Sequence, residues 1–414
     1  MDYLKIAEIA KAWGLSERAV QSLCAKGKIE GATHFGKSWM IPKNATKPID
    51  KRTKEGKDLA SKSMPMPRKS PFLDMTDLYT YKSKADSVIT SLSSNPEAQA
   101  LFSAEIAYSR GEIDKVIERA NQFLRSRSGF YAVNAGGMLL ALASMWKGDI
   151  HLYRQAKIHI CEAPWKTPED KQIMQLSLAC IDTAVRDISY DGYPEWFRYG
   201  RFEHLHPDSH PAAKVFYLKY FIVAAQEQAK GNIKLPDVSG MGLMRVIPYI
   251  AEPLISRIVA EKLIVPEIYL RLLVAVAYHQ LGDDKSAIIH IDKAIDLALP
   301  DNLLGILAEH RRNLDNLLDD RLALKDEKAL ARLKELHKVL LEGFTKLHNS
   351  LHSKNLSTAL TAREREVARL AAFGLSNKEI SERLNVTLAS VNKFILNAMN
   401  KTGSDKRKDL GAFV

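Results

Sequence analysis

Three stretches of the chain repeat one plan, and that plan confines most of the fold to stacked helical pairs. The segments AEIAYSRGEIDKVIERANQFL from Ala104, ALASMWKGDIHLYRQAKIHI from Ala141 and AVAYHQLGDDKSAIIHIDKAIDLA from Ala275 each open with small and apolar residues at helical spacing. Each then carries Gly-Glu or Gly-Asp, at Gly111, Gly148 and Gly282, followed by a second helix with one apolar face. The glycine ends the first helix, the small residues let two helices approach closely, and a pair that cannot bury its face alone stacks on its neighbour. A further stretch, from Asp326 to His352, sets Leu330, Leu333, Leu336, Leu340, Phe344, Leu347 and Leu351 along one helical stripe. That helix either packs on the array or pairs with a second copy in a homodimer. The chain is therefore expected to be mainly α, with a helical array over 74–340 and a connecting helix over 341–354. The stretch Leu176–Lys262 fits the repeated plan poorly.

With alanine, an aromatic and a turn glycine recurring at these offsets, the three segments resemble tetratricopeptide repeats. The first two glycines stand 37 residues apart, near the 34-residue period of that family.

The segment LTAREREVARLAAFGLSNKEISERLNVTLASVNKFILNAMNKTG, within 355–414, reads as three helices. Thr361 with Glu364 three residues on makes a capping box, and the helix buries Val367, Leu370 and Ala371 before Gly374 ends it. Ser376 caps a second helix with Ile380 and Leu384 inward, Asn385 breaks it, and Thr387 starts a third with Val391, Ile395 and Met399 inward. A short capped helix, a tight turn and a longer helix with a polar outer face is the unit that lodges in a DNA major groove. The order Leu-Thr-x-Arg-Glu-x-Glu-Val, then Gly374-Leu375-Ser376-Asn377-Lys378-Glu379-Ile380, then Ser390-Val391, resembles the LuxR family of bacterial transcription regulators. The resemblance implies that Asn392, Lys393 and Leu396, with Asn397 nearby and Ser390 on the same helix, read base edges. It implies that Lys378 and Thr387 approach phosphates, where helix-start amides also help. The sequence departs from the family at Phe394, often histidine, and at Asn392, often lysine, so the reading face carries fewer cations. An asparagine can pair bidentately with adenine.

At the other end, Leu4–Trp13 has helical periodicity, Gly14 and Leu15 break it, and Ser16 caps a second helix ending at Gly27. Thr33–Phe35 and Trp39–Ile41 flank the turn Gly36-Lys37-Ser38 as a β-hairpin closed by Pro42. Residues 1–45 thus resemble the winged helix-turn-helix of the MerR and excisionase type. Arg18, Gln21 and Ser22 lie on the outer side of the second helix, and the wing-tip Lys37 would reach a phosphate or the minor groove. DNA binding and the docking of a partner protein are both open to such a unit. The string Gly31-Ala32-Thr33-His34-Phe35-Gly36-Lys37-Ser38 formally satisfies a phosphate-loop pattern. It neither leaves an apolar parallel strand nor enters a helix, so it is expected to be a hairpin turn. Residues 46–73, rich in Lys, Ser and Pro, read as a flexible basic linker.

Charge follows the same division. Residues 1–70 hold 15 Lys/Arg against 7 Asp/Glu and residues 355–414 hold 10 against 6, while the net charge of the whole chain is +11, so the middle is close to neutral. Two basic ends around a neutral centre are the footprint of contact with a polyanion. Cys24, Cys161 and Cys180 are too few for a disulfide scaffold and lack metal-ligand spacing. His204, His206 and His210 lie in a Pro-rich loop without a helical pair of ligands. Trp146, Trp165, Trp196 and Tyr199 could line a cavity in the array, although aromatics in such arrays usually fill the core. No nucleophile–base arrangement stands out, so no enzyme activity, cofactor or metal is expected. The N-terminus lacks a signal peptide's apolar run and no span suits a bilayer, which points to a cytoplasmic protein with no membrane partner. The sequence thus predicts a transcription regulator that binds double-stranded DNA. By resemblance to large LuxR-type regulators, the array would bind a small-molecule or protein inducer. The other reading is a repeat scaffold whose basic ends hold nucleic acid nonspecifically.

Overall fold

The computed structural model describes residues 3–29, 31–35, 38–43, 45, 66–125, 128–187, 192–229, 240–352, 360–402 and 406–413. Helices dominate them, and the sheet they contain is a small three-stranded one at the N-terminus.

That first unit comprises β1 (Tyr3–Lys5), α1 (Ile6–Trp13), α2 (Glu17–Ala25), β2 (Thr33–Phe35) and β3 (Ser38–Pro42). The antiparallel strands lie in the order β1-β3-β2, with Leu4 opposite Ile41 and Thr33 opposite Met40. The helix expected from Leu4 starts two residues later, because the chain first pairs with β3. Lys5 stays extended, at φ −79° and ψ 159°, and its amide donates to the Glu8 carboxylate at 2.8 Å. Leu4 suits either period, so its apolarity alone could not distinguish a helix start from a strand. Gly14 turns the chain at φ 63°, and Ser16 caps α2 by accepting from the Ala19 amide at 3.2 Å. Ile6, Ile9, Val20, Cys24 and Ile41 form the unit's own core.

The helical body starts earlier in the chain than its polar approach suggests. Residues 66–73, read from composition as the end of the linker, pack on it. Phe72 and Leu73 are buried, and the amides of Leu73 and Asp74 donate to Glu105 at 3.0 and 2.9 Å. Two apolar side chains and a buried acceptor decide the matter against the neighbouring Lys, Ser and Pro. Residues 46–65 lie outside the described residues.

The body then runs through α3 (Ala85–Ser91), α4 (Pro96–Ser109), α5 (Ile113–Arg125), α6 (Phe130–Lys147), α7 (Ile150–Cys161), α8 (Pro168–Val185) and α9 (Glu195–Arg198). It continues with α10 (His210–Ala229), α11 (Gly240–Glu261), α12 (Ile264–Leu281), α13 (Asp284–Ala298), α14 (Leu304–Ala323) and α15 (Glu327–His352). The pairs α4/α5, α6/α7 and α12/α13 are hairpins turned by Gly111, Gly148 and Gly282, at φ 77°, 64° and 86°. Among the described residues of the poorly fitting stretch Leu176–Lys262, Tyr193, Phe197, Phe202, Tyr217 and Tyr220 form an aromatic cluster linked by ring contacts.

The last helix of the body, α15, returns across the array to lie along α6. Gly343 makes the approach possible, since a Cβ there would overlap the Trp146 carbonyl. Leu333, Leu336, Leu340 and Leu347 are buried in this packing. The stripe considered for a homodimer is therefore covered within the chain, where burial of apolar area already satisfies it. One helix is broken: Asp315, in the middle of α14, adopts φ 49° and ψ −134°, a conformation strained for any residue but glycine. No helix among the described residues is long and apolar enough to cross a membrane.

Candidate nucleic-acid interface

The C-terminal unit consists of α16 (Ala362–Ala372), α17 (Asn377–Leu384) and α18 (Leu388–Thr402), closed by a 3-10 turn over Arg407–Phe413. Local chemistry sets each boundary. Thr361 and Glu364 form a reciprocal capping box, and Ser376 and Glu379 form a second. Burial would raise the Glu364 carboxyl, but hydrogen bonds from Lys401 at 2.7 Å and the Thr361 amide at 2.8 Å hold it below its ordinary value. Gly374 at φ 90° ends the first helix, and Asn385 at φ 50° makes the tight turn between the second and third. Val367, Leu370, Ile380, Val391, Ile395 and Leu410 join into one small core. Leu384 and Met399, expected inward, are partly buried against it.

That core turns one side of α18 outward. Asn392, Lys393 and Leu396 are exposed, Leu396 at 58%, while Asn397 and Ser390 are half-buried. Thr387 is exposed and caps α18. Its hydroxyl accepts from the Ser390 amide at 3.1 Å and lies 2.9 Å from the Ser390 hydroxyl. Lys378 stands exposed in the first turn of α17, loosely paired with Glu382 at 4.0 Å. The Asn392 amide oxygen accepts from Asn377 Nδ2 at 2.7 Å. The arrangement can present helix-start amides and a lysine to phosphates, with Asn392 and Lys393 toward base edges.

The opposite side of α16 meets the helical body through residues that sequence reasoning missed. Arg369 donates to the Asp315 carboxylate at 2.5 Å and to the Arg312 carbonyl at 3.2 Å. Arg383 of α17 donates to the His279 carbonyl, and Phe373 packs against the body's apolar core. His279 lies between two carboxylates, with Nδ1 2.7 Å from Asp284 and Nε2 3.4 Å from Asp315. Burial would lower its pKa, but these two partners raise it above the ordinary value. Burial would likewise raise Asp315, but Arg369 and His279 hold it below its usual range. His279, Asp315 and Glu366 bring ligand atoms within 4.8 Å of one another. Arg369 and His279 both contact the same carboxylate oxygen of Asp315. A signal was present in the sequence: Arg365, Arg369 and Phe373 share one stripe of α16, away from Val367, Leu370 and Ala371.

In the N-terminal unit Arg18, Gln21 and Ser22 are exposed on α2, and Lys37 lies outside the described residues. The string that mimics a phosphate loop runs from β2 into the antiparallel β3, so no helix N-terminus follows it. The far end of α2 rests on α7, where Gln155 donates to the Gly27 carbonyl at 3.0 Å and Lys28 lies 3.0 Å from Glu162. The three histidines are structurally engaged: His206 lies 3.2 Å from Asp208, His204 stands edge-on to Trp196, and His210, expected in a loop, opens α10 with its ring 3.1 Å from the Leu205 carbonyl.

Residues 358–413 match the family model of bacterial regulatory proteins of the luxR family. No curated protein and no solved structure matches the chain. The match covers the unit whose three capped helices are described above, which is a LuxR-type helix-turn-helix domain.

Proposed function

We propose that the chain is a sequence-specific, DNA-binding transcription regulator whose helical body senses a small molecule or a protein partner. The observation that carries the reading is the exposed outer side of α18 within a domain similar to the luxR family. Asn392, Lys393 and Leu396 would meet base edges, and Lys378, Thr387 and the first amides of α18 would meet phosphates. The N-terminal unit offers a second reader through Arg18, Gln21 and Ser22, or a surface for a partner protein.

Electrophoretic-shift titration of the full chain with genomic fragments tests this. We expect salt-dependent, sequence-selective complexes that weaken when Asn392 and Lys393 are both replaced by Ala. Unchanged binding by that double variant would sink the assignment of the recognition face. The other reading, a scaffold with nonspecific ends, draws support from the scarcity of cations on the face, where Lys378 is shared with Glu382. A preference below about tenfold for any fragment over random DNA would favour it, since specific regulators exceed that by orders of magnitude.

A further inference from the structure

Between α6, α8, α10, α12, α14 and α15 the helical body contains a cavity of about 90 Å³ that opens to the surface. It is not built from the aromatics that the sequence suggested. Trp146 is buried edge-on to Tyr108, and Trp165 and Tyr199 are exposed. The walls include Met145, Val223, Leu340 and Phe344, and three cations reach them, Arg186, Lys219 and Arg312. Two of the three are matched. Lys219 lies 2.7 Å from Glu309, and Arg186 lies 3.2 Å from Glu227 and donates to Gln226 at 2.5 Å.

Arg312 is not matched. Among the described residues its guanidinium has no ion pair or hydrogen bond, and the charges acting most strongly on it are Arg186, Arg365 and Arg369, opposed by Asp315. That carboxylate is already held by Arg369 and His279. Burial first, and the neighbouring cations second, push the Arg312 pKa down to about 9. A half-buried cation without a partner, beside three others, favours whatever brings a negative charge to it. Two further groups shape what else could enter. Nδ1 of His310 and of His337 lies 3.0 and 2.9 Å from the carbonyls of Ile306 and Ala308. Burial pushes both imidazoles down to about 4. Both are therefore neutral near pH 7, with Nδ1 donating and Nε2 left as an acceptor.

We propose that this cavity is an effector site for a small organic anion, with one acidic head group on Arg312 and an apolar body against Leu340 and Phe344. The inference rests on reading the helical body as a sensor, and it gives that sensor a ligand class. It also supplies a route to the DNA-binding domain. The Arg312 carbonyl accepts from Arg369 of α16, and Asp315, three residues on, holds the same guanidinium. An anion beside Arg312 offsets its repulsion with Arg365 and Arg369. Anion binding and docking of the C-terminal domain therefore strengthen each other, by reciprocity.

Calorimetric titration of the full chain with octanoate, octyl phosphate and octanol tests the site. At least one anion should bind about tenfold or more tightly than octanol, whose apolar body is the same, and the tighter anion identifies the head group. Arg312→Met should lower that affinity by about tenfold or more and leave octanol unchanged, whereas Arg312→Lys should stay within about threefold. The Met variant removes an unpaired cation, so its melting temperature should not fall. Hydrogen exchange in 362–372 should slow at saturating anion. Absence of binding by both anions at millimolar concentration, or wild-type affinity in Arg312→Met, overturns the site. Unchanged exchange at saturation overturns the coupling. Specific DNA binding is assayed separately on the same protein. Its absence beside intact anion binding would sink the regulator reading and leave the site standing, and the converse result would do the opposite.

Discussion

Asn392 already has a partner in the chain, since its amide oxygen accepts from Asn377 at 2.7 Å. Bidentate reading of adenine uses both the oxygen and the nitrogen of the side chain, so on the proposed reading Asn377 would give way to a base. Asn392→Ala should then cost about 1–3 kcal/mol of discrimination at one base pair, and Asn377→Ala should cost far less. Competition binding against single-base variants of a selected fragment measures both, and equal losses would mean that Asn392 does not read alone. Two glycines make a contrast of another kind. Gly343 lies where a Cβ would overlap the Trp146 carbonyl, whereas Gly374, at φ 90°, has nothing within 4 Å of the same atom. Gly343→Ala should cost about 1–3 kcal/mol or more through overpacking. Gly374→Ala should cost about 1 kcal/mol through its backbone alone. Thermal melting of the two variants separates packing from conformation, and a larger fall for Gly374→Ala would contradict the assignment.

Helix α16 faces two ways, toward its own small core and toward the body. Its contact with the body includes His279, which is surrounded by Asp284, Asp315, Glu366, Arg369 and Arg383. The imidazole is raised above its ordinary value of 6.5. Its contribution is therefore complete below that pH and fades as pH rises through the raised value. Hydrogen exchange in 362–372, corrected for intrinsic rates, should be slower at pH 5.5 than at pH 8.5. His279→Gln should remove the difference, and faster exchange at the lower pH would refute the role. Elements of this kind divide by how local their instructions are. The boundaries of α16 and α17 were legible because Thr361 with Glu364 and Ser376 with Glu379 bond within one turn. The three glycine hairpins were legible for the same reason. Strand β1 was not, since its partner lies more than thirty residues away in β3. Neither was the burial of Phe72 and Leu73, which depends on Glu105. The partners of Arg369 were not legible either, since Asp315 and the carbonyl of Arg312 lie more than fifty residues away on α14.

For the molecule as a whole, the charge that sequence places at both ends is thin on the recognition face. Each phosphate neutralised contributes about 0.9 to the slope of log affinity against log salt. Replacing Lys378 by Ala should reduce that slope by about 1, and an unchanged slope would remove this lysine from the phosphate contacts. The array offers a second test at this scale, because α15 lies on α6 and α14 reaches α4. Stacked repeats that contact only their neighbours can unfold piecemeal, whereas a stack whose end meets its beginning should melt as one unit. Calorimetry of the full chain should assign the body a single transition with equal calorimetric and van't Hoff enthalpies, and a broad stepwise melt would argue against closure. The same closure fixes how many hairpins the body can hold. An open array can be lengthened by one helical pair in the middle while its ends remain intact. Here an inserted pair would draw Gly343 away from the Trp146 carbonyl, so the repeat number is set by the need for the last helix to come home.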